Sequence, residues 1–85
     1  MIRQKYKVDI YQFVTTGSVE SNCSDITFYN SGENPVLINN AVTLTNGQSL
    51  YINANNDELD ITNYFFTFQD SVKPSQLIVL MKTYI

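Results

Sequence analysis

The sequence contains no histidine, no tryptophan and a single cysteine, Cys23. One cysteine cannot form an internal disulfide, and without histidine the chain lacks a side chain much used for acid–base catalysis and zinc binding. Charged residues account for only 15% of the 85 positions, compared with about 25% in a typical domain. We therefore expect a non-enzymatic protein without a cofactor, stabilised by packing or by a partner rather than by covalent or metal cross-links.

The chain also lacks features that would direct it to nucleic acid or to a membrane. Its formal net charge of −3 opposes nucleic-acid binding, which usually needs a basic surface. Residues 1–13 contain no apolar segment of the kind found in secretory signal peptides, and the apolar run at residues 77–81 is too short to cross a bilayer. We expect a soluble protein that is made in a cytoplasm and binds neither nucleic acid nor a membrane directly.

What the sequence does contain is the pattern of an all-β protein. Asparagine, serine and threonine are frequent, and short segments rich in β-branched and aromatic residues lie between them. The segments predict strands at residues 5–15, 25–30, 36–39, 42–44, 49–53, 61–68 and 76–84, with loops at 16–24 and 54–60. We expect one domain over residues 1–85, a compact antiparallel β-sandwich or flattened barrel of about six or seven strands, in which residues 1–4 can form a free N-terminal arm.

Two pairs of residues in this pattern predict turns. Asn39-Asn40 predicts a tight turn between two short strands. Asn46-Gly47 predicts a type I′ β-hairpin, because both central residues of that turn need a positive φ, which asparagine and glycine tolerate. The strands on either side of Asn46-Gly47 would then pair with each other.

The first predicted strand has one apolar and one polar face. Tyr6, Val8 and Ile10 alternate with charged residues, which predicts that the apolar face is buried. Three basic residues share the polar side near the N-terminus, namely Arg3, Lys5 and Lys7. One interpretation is that these residues bind an acidic neighbour. The other is that they form the solvated side of an edge strand, where lysine discourages pairing with other chains. We include these basic residues among the interface candidates.

Two segments have more apolar residues than one thin core can bury. Residues 64–66 are all aromatic, and residues 77–81 are all aliphatic or methionine. Because neighbouring side chains on a strand point to opposite faces, one set in each segment must point away from the core. We predict that this set contacts a different protein or a second copy of the chain, by docking or by addition of the first or last strand to a sheet edge. The candidates are Tyr64, Phe66, Ile78 and Leu80, and the pattern leaves open which of the two faces points outwards.

A cluster of carboxylates lies in an asparagine-rich loop and includes Asp57, Glu58 and Asp60. Such a cluster could bind Ca²⁺, which takes about six to eight oxygen ligands, but the spacing differs from that of an EF-hand, and a solvated loop is the simpler interpretation. Together with exposed tyrosines, the loop at residues 53–60 would suit a carbohydrate-binding or adhesion module, which is the alternative to a structural function. Cys23 has no histidine partner, so we expect a small, partly buried residue rather than a nucleophile.

The segment from residue 26 to residue 68 reads ITFYNSGENPVLINNAVTLTNGQSLYINANNDELDITNYFFTF. Its turn and apolar positions are Asn30-x-Gly32, Pro35-Val36-x-Ile38-Asn39, Leu44, Gly47-x-Ser49 and Ile52. This pattern resembles small β-domain virion proteins of tailed bacteriophages, which include auxiliary capsid, head-fibre and tail proteins. The resemblance implies a non-enzymatic structural protein of the virion, made in the bacterial cytoplasm, that docks onto other virion subunits. It implies no role for any single residue.

Overall fold

The computed structural model describes residues 3–55 and 57–85, and this part of the chain forms β-strands without any helix. The strands are β1 (Tyr6–Phe13), β2 (Gly17–Glu20), β3 (Asp25–Asn30), β4 (Val36–Ile38), β5 (Val42–Leu44), β6 (Ser49–Ile52), β7 (Asn63–Phe68) and β8 (Leu77–Tyr84). The predicted all-β class is therefore confirmed. Residues 1–2 of the predicted N-terminal arm and residue 56 of the predicted loop lie outside the described residues. Within them, no helix has the length and apolar character that crossing a membrane requires.

The strands form two four-stranded sheets, as expected for a β-sandwich. The first sheet has the order β1-β8-β3-β6 and the second the order β2-β7-β4-β5. All neighbouring strands are antiparallel. Strand β2 lies inside residues 16–24, which the sequence predicts as a loop, and this prediction is wrong. Strand β8 pairs on both sides, with β1 and β3, so it has no free edge and cannot take part in strand addition at an edge.

The strands pair as in one long β-hairpin whose turn lies between β4 and β5. Strand β1 pairs with β8, β2 with β7, β3 with β6, and β4 with β5. Two further pairings, β3 with β8 and β4 with β7, complete the sheets. Apart from the β4–β5 hairpin, every connection passes from one sheet to the other. This strand order is that of an eight-stranded jelly roll.

The turn of this long hairpin, between β4 and β5, is the predicted tight turn at Asn39-Asn40. Asn39 and Asn40 have φ values of 49° and 53°, and Ala41 N–H donates to the carbonyl of Ile38 at 3.0 Å. Asparagine adopts this left-handed region more readily than most residues because its short polar side chain can form local hydrogen bonds. The side chain of Asn39 also makes a long-range bond, since Asn39 Oδ1 accepts a hydrogen bond from Phe65 N–H at 2.8 Å and so attaches the turn to β7.

The predicted hairpin at Asn46-Gly47 does not form. Gln48 N–H donates to the carbonyl of Thr45 at 3.0 Å, so a turn is present, but of its two central residues only Gly47 has a positive φ, of 82°. That combination belongs to a type II turn rather than type I′. The turn carries the chain from β5 in the second sheet to β6 in the first, and these two strands do not pair.

The core fills the space between the two sheets. Its buried apolar residues are Cys23, Ile26, Phe28, Val36, Ile38, Leu44, Tyr64, Phe66, Leu77, Val79 and Met81. Rings from opposite sheets meet in it, with Phe28 and Tyr64 centroids 5.1 Å apart and Phe13 and Phe66 centroids 4.8 Å apart. Such aromatic pairs add packing energy beyond the area that they bury.

Two buried asparagines hold the loop between β3 and β4. Asn30 Nδ2 donates to the carbonyls of Asn34 and Leu44, both at 2.8 Å, and Asn30 Oδ1 accepts from Gly32 N–H at 3.0 Å. Asn34 Nδ2 donates to Ser75 Oγ at 2.8 Å. Within the described residues, no buried side-chain nitrogen or oxygen lacks a partner. Asn30 and Gly32 of the Asn30-x-Gly32 motif therefore have a structural role in the loop, as does Asn34.

Candidate functional site

The face of the first sheet that points away from the core is largely apolar. Side chains alternate along each strand, so the residues between the buried ones point outwards. We define the outer face as Tyr6, Val8, Ile10 and Gln12 of β1, Ile78, Leu80, Lys82 and Tyr84 of β8, Asp25, Thr27 and Tyr29 of β3, and Ser49 and Tyr51 of β6. The strand register arranges these residues in rows across the sheet, and one row runs from Ile10 through Leu80 and Thr27 to Tyr51.

Most apolar side chains of the outer face are open to solvent. Exposure ranges from 36% for Leu80 to 64% for Ile10, and Tyr6, Val8, Tyr29 and Tyr51 lie between these values. Ile78 and Tyr84 are half-buried. The sequence predicts burial for the Tyr6, Val8 and Ile10 side of β1, and this prediction is wrong. The alternation is present, but the apolar side of β1 faces solvent.

The charges on the outer face belong to one ion pair. Lys82 Nζ lies 3.0 Å from Asp25 Oδ2, and Ala54 N–H donates to Asp25 Oδ1 at 3.0 Å. Burial by itself would raise the pKa of Asp25, but the hydrogen bonds from Ala54 and Lys82 lower it below its usual value. Lys82 also lies over two aromatic rings, 5.4 Å from the centroid of Tyr6 and 5.2 Å from that of Tyr84. The outer face therefore carries no net charge.

The corresponding face of the second sheet has a different character. Its outward residues are Ser18 and Glu20 of β2, Asn63, Phe65 and Thr67 of β7, Leu37 of β4 and Thr43 of β5. Polar residues predominate, and Phe65 is the one exposed large apolar side chain among them. Only the first sheet thus presents a continuous apolar surface in the described part of the chain.

The structure separates the predicted interface residues of the two apolar segments. Ile78 and Leu80 lie on the outer face, while Tyr64 and Phe66 are in the core, exposed by only 6% and 1%. The core placement corrects the assignment of Tyr64 and Phe66 to an interface, because neither side chain offers surface to a partner. The alternation in β7 carried this information, since the polar residues Asn63 and Thr67 share a face with Phe65.

Of the basic candidates, Lys7 lies on the side of the first sheet opposite to the outer face. Arg3, Lys5 and Lys7 are all exposed, and Lys7 opposite Thr83 occupies the other side of the first sheet. Lys7 Nζ is 4.0 Å from Asp9 Oδ2, a contact at the limit of an ion pair between two exposed side chains. Lys7 and the pair Ile78 and Leu80 therefore do not form one surface.

A polar cleft opens between the sheets beyond the end of the core. It has a volume of about 480 Å³, and its lining includes Lys7, Asp9, Tyr11, Glu20 and Leu59. Leu59 comes from the loop at residues 53–60, and Tyr11 contributes an exposed ring. Asn22 also lines the cleft, and an aromatic ring beside the Asp9 carboxylate and the Asn22 amide is an arrangement that can bind a polar ligand such as a sugar.

The predicted calcium candidates do not come together as a metal site. Asp60 uses its carboxylate within the protein, where it accepts hydrogen bonds from Ser21 Oγ at 2.8 Å, Thr62 N–H at 2.9 Å and Tyr64 OH at 2.7 Å. Burial opposes ionisation, but these hydrogen bonds lower the pKa of Asp60 below its usual value. Glu58 accepts from Asn55 N–H at 2.8 Å in a local turn. Across residues 3–55 and 57–85, no three such side chains could hold a metal ion.

Cys23 is a core residue without the properties of a nucleophile. Its side chain is buried, and its Sγ donates to the carbonyl of Asp25 at 3.3 Å. Burial, together with the nearby carboxylates of Asp60, Asp25 and Asp9, raises the pKa of the Cys23 thiol to about 11. The thiol is therefore almost entirely protonated at neutral pH.

Comparison with known proteins adds no further evidence on function. No protein-family model matches the chain, and neither a curated protein nor a solved structure does. The resemblance to phage virion proteins stays a prediction from the pattern of turns and apolar residues. The function is therefore inferred from the geometry of the outer face and of the cleft.

Proposed function

We propose that the chain is a non-enzymatic structural protein of a tailed-phage virion, an auxiliary capsid, head or tail component that docks onto other virion subunits. The observation that carries this proposal is the outer face of the first sheet. Exposed apolar side chains on that face are adjacent and continuous, whereas most exposed apolar residues of a monomer are scattered.

The size of the outer face supports a docking function. Its six exposed apolar and aromatic side chains present on the order of 600 Å², if a fully exposed side chain of this kind has about 150–250 Å². Apolar patches on ordinary monomers reach roughly 300–600 Å², and a specific interface buries roughly 600–1,000 Å² on each partner. The outer face lies at the upper limit of the first range and at the lower limit of the second.

The jelly-roll fold is compatible with this proposal but does not distinguish it from carbohydrate binding. Jelly rolls occur in viral capsid proteins and also in lectins, so the topology is compatible with both of the functions considered. The outer face favours assembly, because its exposed aliphatic side chains Val8, Ile10 and Leu80 gain more free energy from burial against an apolar protein surface than from contact with a polar saccharide.

Incorporation into particles tests the proposal. Virions purified from the source of the sequence are expected to contain the chain in a fixed copy number, measured by quantitative mass spectrometry. A tagged chain supplied during assembly is expected to enter the particles, and the variant with Ile10→Lys on the outer face is expected to be excluded. Phe65→Lys, at a similarly exposed site on the second sheet, serves as the matched control. Absence of the chain from purified particles would refute the proposal.

A second candidate function is carbohydrate binding, and the cleft is the observation that favours it. Tyr11, Asp9 and Asn22 line the cleft, and the loop at residues 53–60 contributes Leu59. Binding to a glycan array, lost in Tyr11→Ala and kept in Tyr29→Ala, would support this function. The Tyr29 ring is exposed to a similar degree but lies on the outer face, away from the cleft.

A further inference from the structure

We infer that the occupant of the outer face is a second copy of this chain, packed face to face across a two-fold axis that runs parallel to the strands. This inference rests on the proposed function, because it names the partner for the same surface. Two β-sheets readily pack face to face in this way, about 10 Å apart and with strand directions within about 30° of each other, as the two sheets of a sandwich do.

The first argument is that the rows of the outer face are complementary to themselves. A two-fold axis parallel to the strands, centred between β8 and β3, reverses the strand order and keeps each row at its own level. In the row that runs from Ile10 to Tyr51, Ile10 of one copy then lies against Tyr51 of the other. Leu80 of one copy lies against Thr27 of the other, so each branched apolar side chain meets an aromatic ring or a methyl group.

The neighbouring row behaves in the same way. It runs from Gln12 through Ile78 and Tyr29 to Ser49. The axis places Ile78 against Tyr29 and Gln12 against Ser49. Apolar side chains thus meet apolar or aromatic ones, and polar side chains meet polar ones.

Charge complementarity is the second argument. Lys82 and Asp25 occupy one row on neighbouring strands, so the same axis places Lys82 of one copy over Asp25 of the other. The ion pair at 3.0 Å within each copy would be joined by a matching pair between copies. A face with a net charge would bring like charges together when it packs against its own copy. The outer face carries no net charge, and the axis places no two like charges opposite each other.

The third argument is the area. A contact between two identical faces of roughly 600 Å² each buries about 1,200 Å² in total, the lower limit for a specific, stable interface. The half-buried Ile78 and Tyr84 increase this area. Burial of the apolar side of β1 also explains why Val8 and Ile10 alternate so regularly with charged residues.

Solution mass tests the inference first. Sedimentation equilibrium of the purified chain is expected to give about twice the 9.7 kDa of one copy, with dissociation on dilution. Ile10→Lys and Tyr51→Lys are each expected to halve the mass, and Phe65→Lys on the second sheet is expected to leave it unchanged. Ile10 lies on an edge strand and is well exposed, so the variant should fold, which its melting curve would verify. A monomer at all concentrations would overturn the inference.

Cross-linking tests the orientation of the two copies. Opposite Cα atoms of packed sheets lie about 10 Å apart, too far for a disulfide, so a short bis-maleimide is the suitable reagent. A mixture of the Ile10→Cys and Tyr51→Cys chains is expected to give a cross-linked dimer. Neither variant alone should do so, because two copies of the same residue are offset by about three strand spacings, roughly 14 Å, within sheets that are about 10 Å apart, which gives a distance of roughly 17 Å. Equal cross-linking of a single variant would overturn the proposed axis.

The outcomes also separate this inference from the proposed function. A chain that is monomeric in solution but enters virions through an intact outer face would overturn self-pairing and leave the virion function standing. A dimer that behaves as described but is absent from purified virions would support self-pairing and refute the virion function.

Discussion

Lys82 and Asp25 face each other across neighbouring strands, with Lys82 Nζ 3.0 Å from Asp25 Oδ2. The Asp25 side chain is nearly buried and also accepts a hydrogen bond from Ala54 N–H. The pair therefore connects β3 and β8 with the segment that follows β6. Because both charges are satisfied within the chain, a partner can cover this part of the outer face without leaving a buried charge unpaired.

The lowered pKa values of Asp25 and Asp60 predict acid lability. A carboxylate with a lower pKa in the folded than in the unfolded state stabilises the fold above the unfolded pKa, near 4. That stabilisation is lost as the pH falls through the folded pKa. We expect the melting temperature to be level around neutral pH and to fall below about pH 4, and Asp25→Asn and Asp60→Asn each to reduce the steepness of the fall. Thermal unfolding followed by circular dichroism at a series of pH values measures this.

Glu33→Gln is the matched control for the acid series, since the Glu33 side chain is exposed. This variant is expected to keep the full pH dependence of the parent chain. If Asp25→Asn and Asp60→Asn lose as much stability on acidification as the parent chain, the two carboxylates do not cause the acid lability.

Substitution by alanine is expected to destabilise the protein at Gly32 but to have little effect at Gly17. A Cβ at Gly32 would lie 2.6 Å from Gln76 N and 3.0 Å from Pro74 O, both backbone atoms, whereas at Gly17 the nearest atoms are ring carbons of Phe66 at 3.6 Å or more. Gly32→Ala is expected to lower the free energy of unfolding by about 1–3 kcal/mol, because the backbone must move to relieve the clash. Gly17→Ala should change it by less than about 1 kcal/mol. Urea denaturation measures both, and equal effects would contradict the assigned packing of Gly32.

Local sequence patterns predicted much of the fold. The bounds of β3 and β5 agree with the prediction, because turn residues flank each of these short apolar segments. Strand β2 was missed because Val19 is its only core residue, so it has no apolar alternation and depends on pairing with β7. The pair Asn46-Gly47 correctly marks a turn, but a local turn does not show whether the two strands it connects share a sheet.

The candidate site was harder to predict than the fold. The sequence identifies Ile78 and Leu80 as candidates because β8 is apolar on both faces, which places one set outside the core. The pattern predicts that Val8 and Ile10 lie in the core, since one-sided alternation usually marks a buried face. Which face of an edge strand is covered depends on the order of strands far apart in sequence, and the sequence pattern alone does not contain that order.

Removal of the Tyr64 hydroxyl tests the hydrogen-bond network around Asp60. Tyr64 OH donates to Asp60 Oδ2 at 2.7 Å. Burial, and to a smaller extent this hydrogen bond, raises the pKa of Tyr64 to about 12. Tyr64→Phe keeps the ring in the core but deprives a carboxylate of one donor, and we expect a loss of about 1–3 kcal/mol in the free energy of unfolding. Tyr11→Phe, in an exposed ring, should cost less than about 0.5 kcal/mol. Chemical denaturation of both variants measures the difference, and equal costs would mean that the bond to Asp60 contributes nothing.

The buried thiol of Cys23 predicts that it reacts only when the protein opens. With a pKa of about 11, roughly one thiol in a thousand is ionised at about pH 8, and the core also blocks access of a reagent. Ellman's reagent is therefore expected to react slowly with the native chain and rapidly in denaturing urea. A chain with Ser18→Cys, at an exposed position of β2, should show one fast thiol in the native state and Cys23 as the slow one. Rapid labelling of Cys23 in the native parent chain would show that this end of the core opens readily, and the cleft beside it would then be a mobile part of the fold.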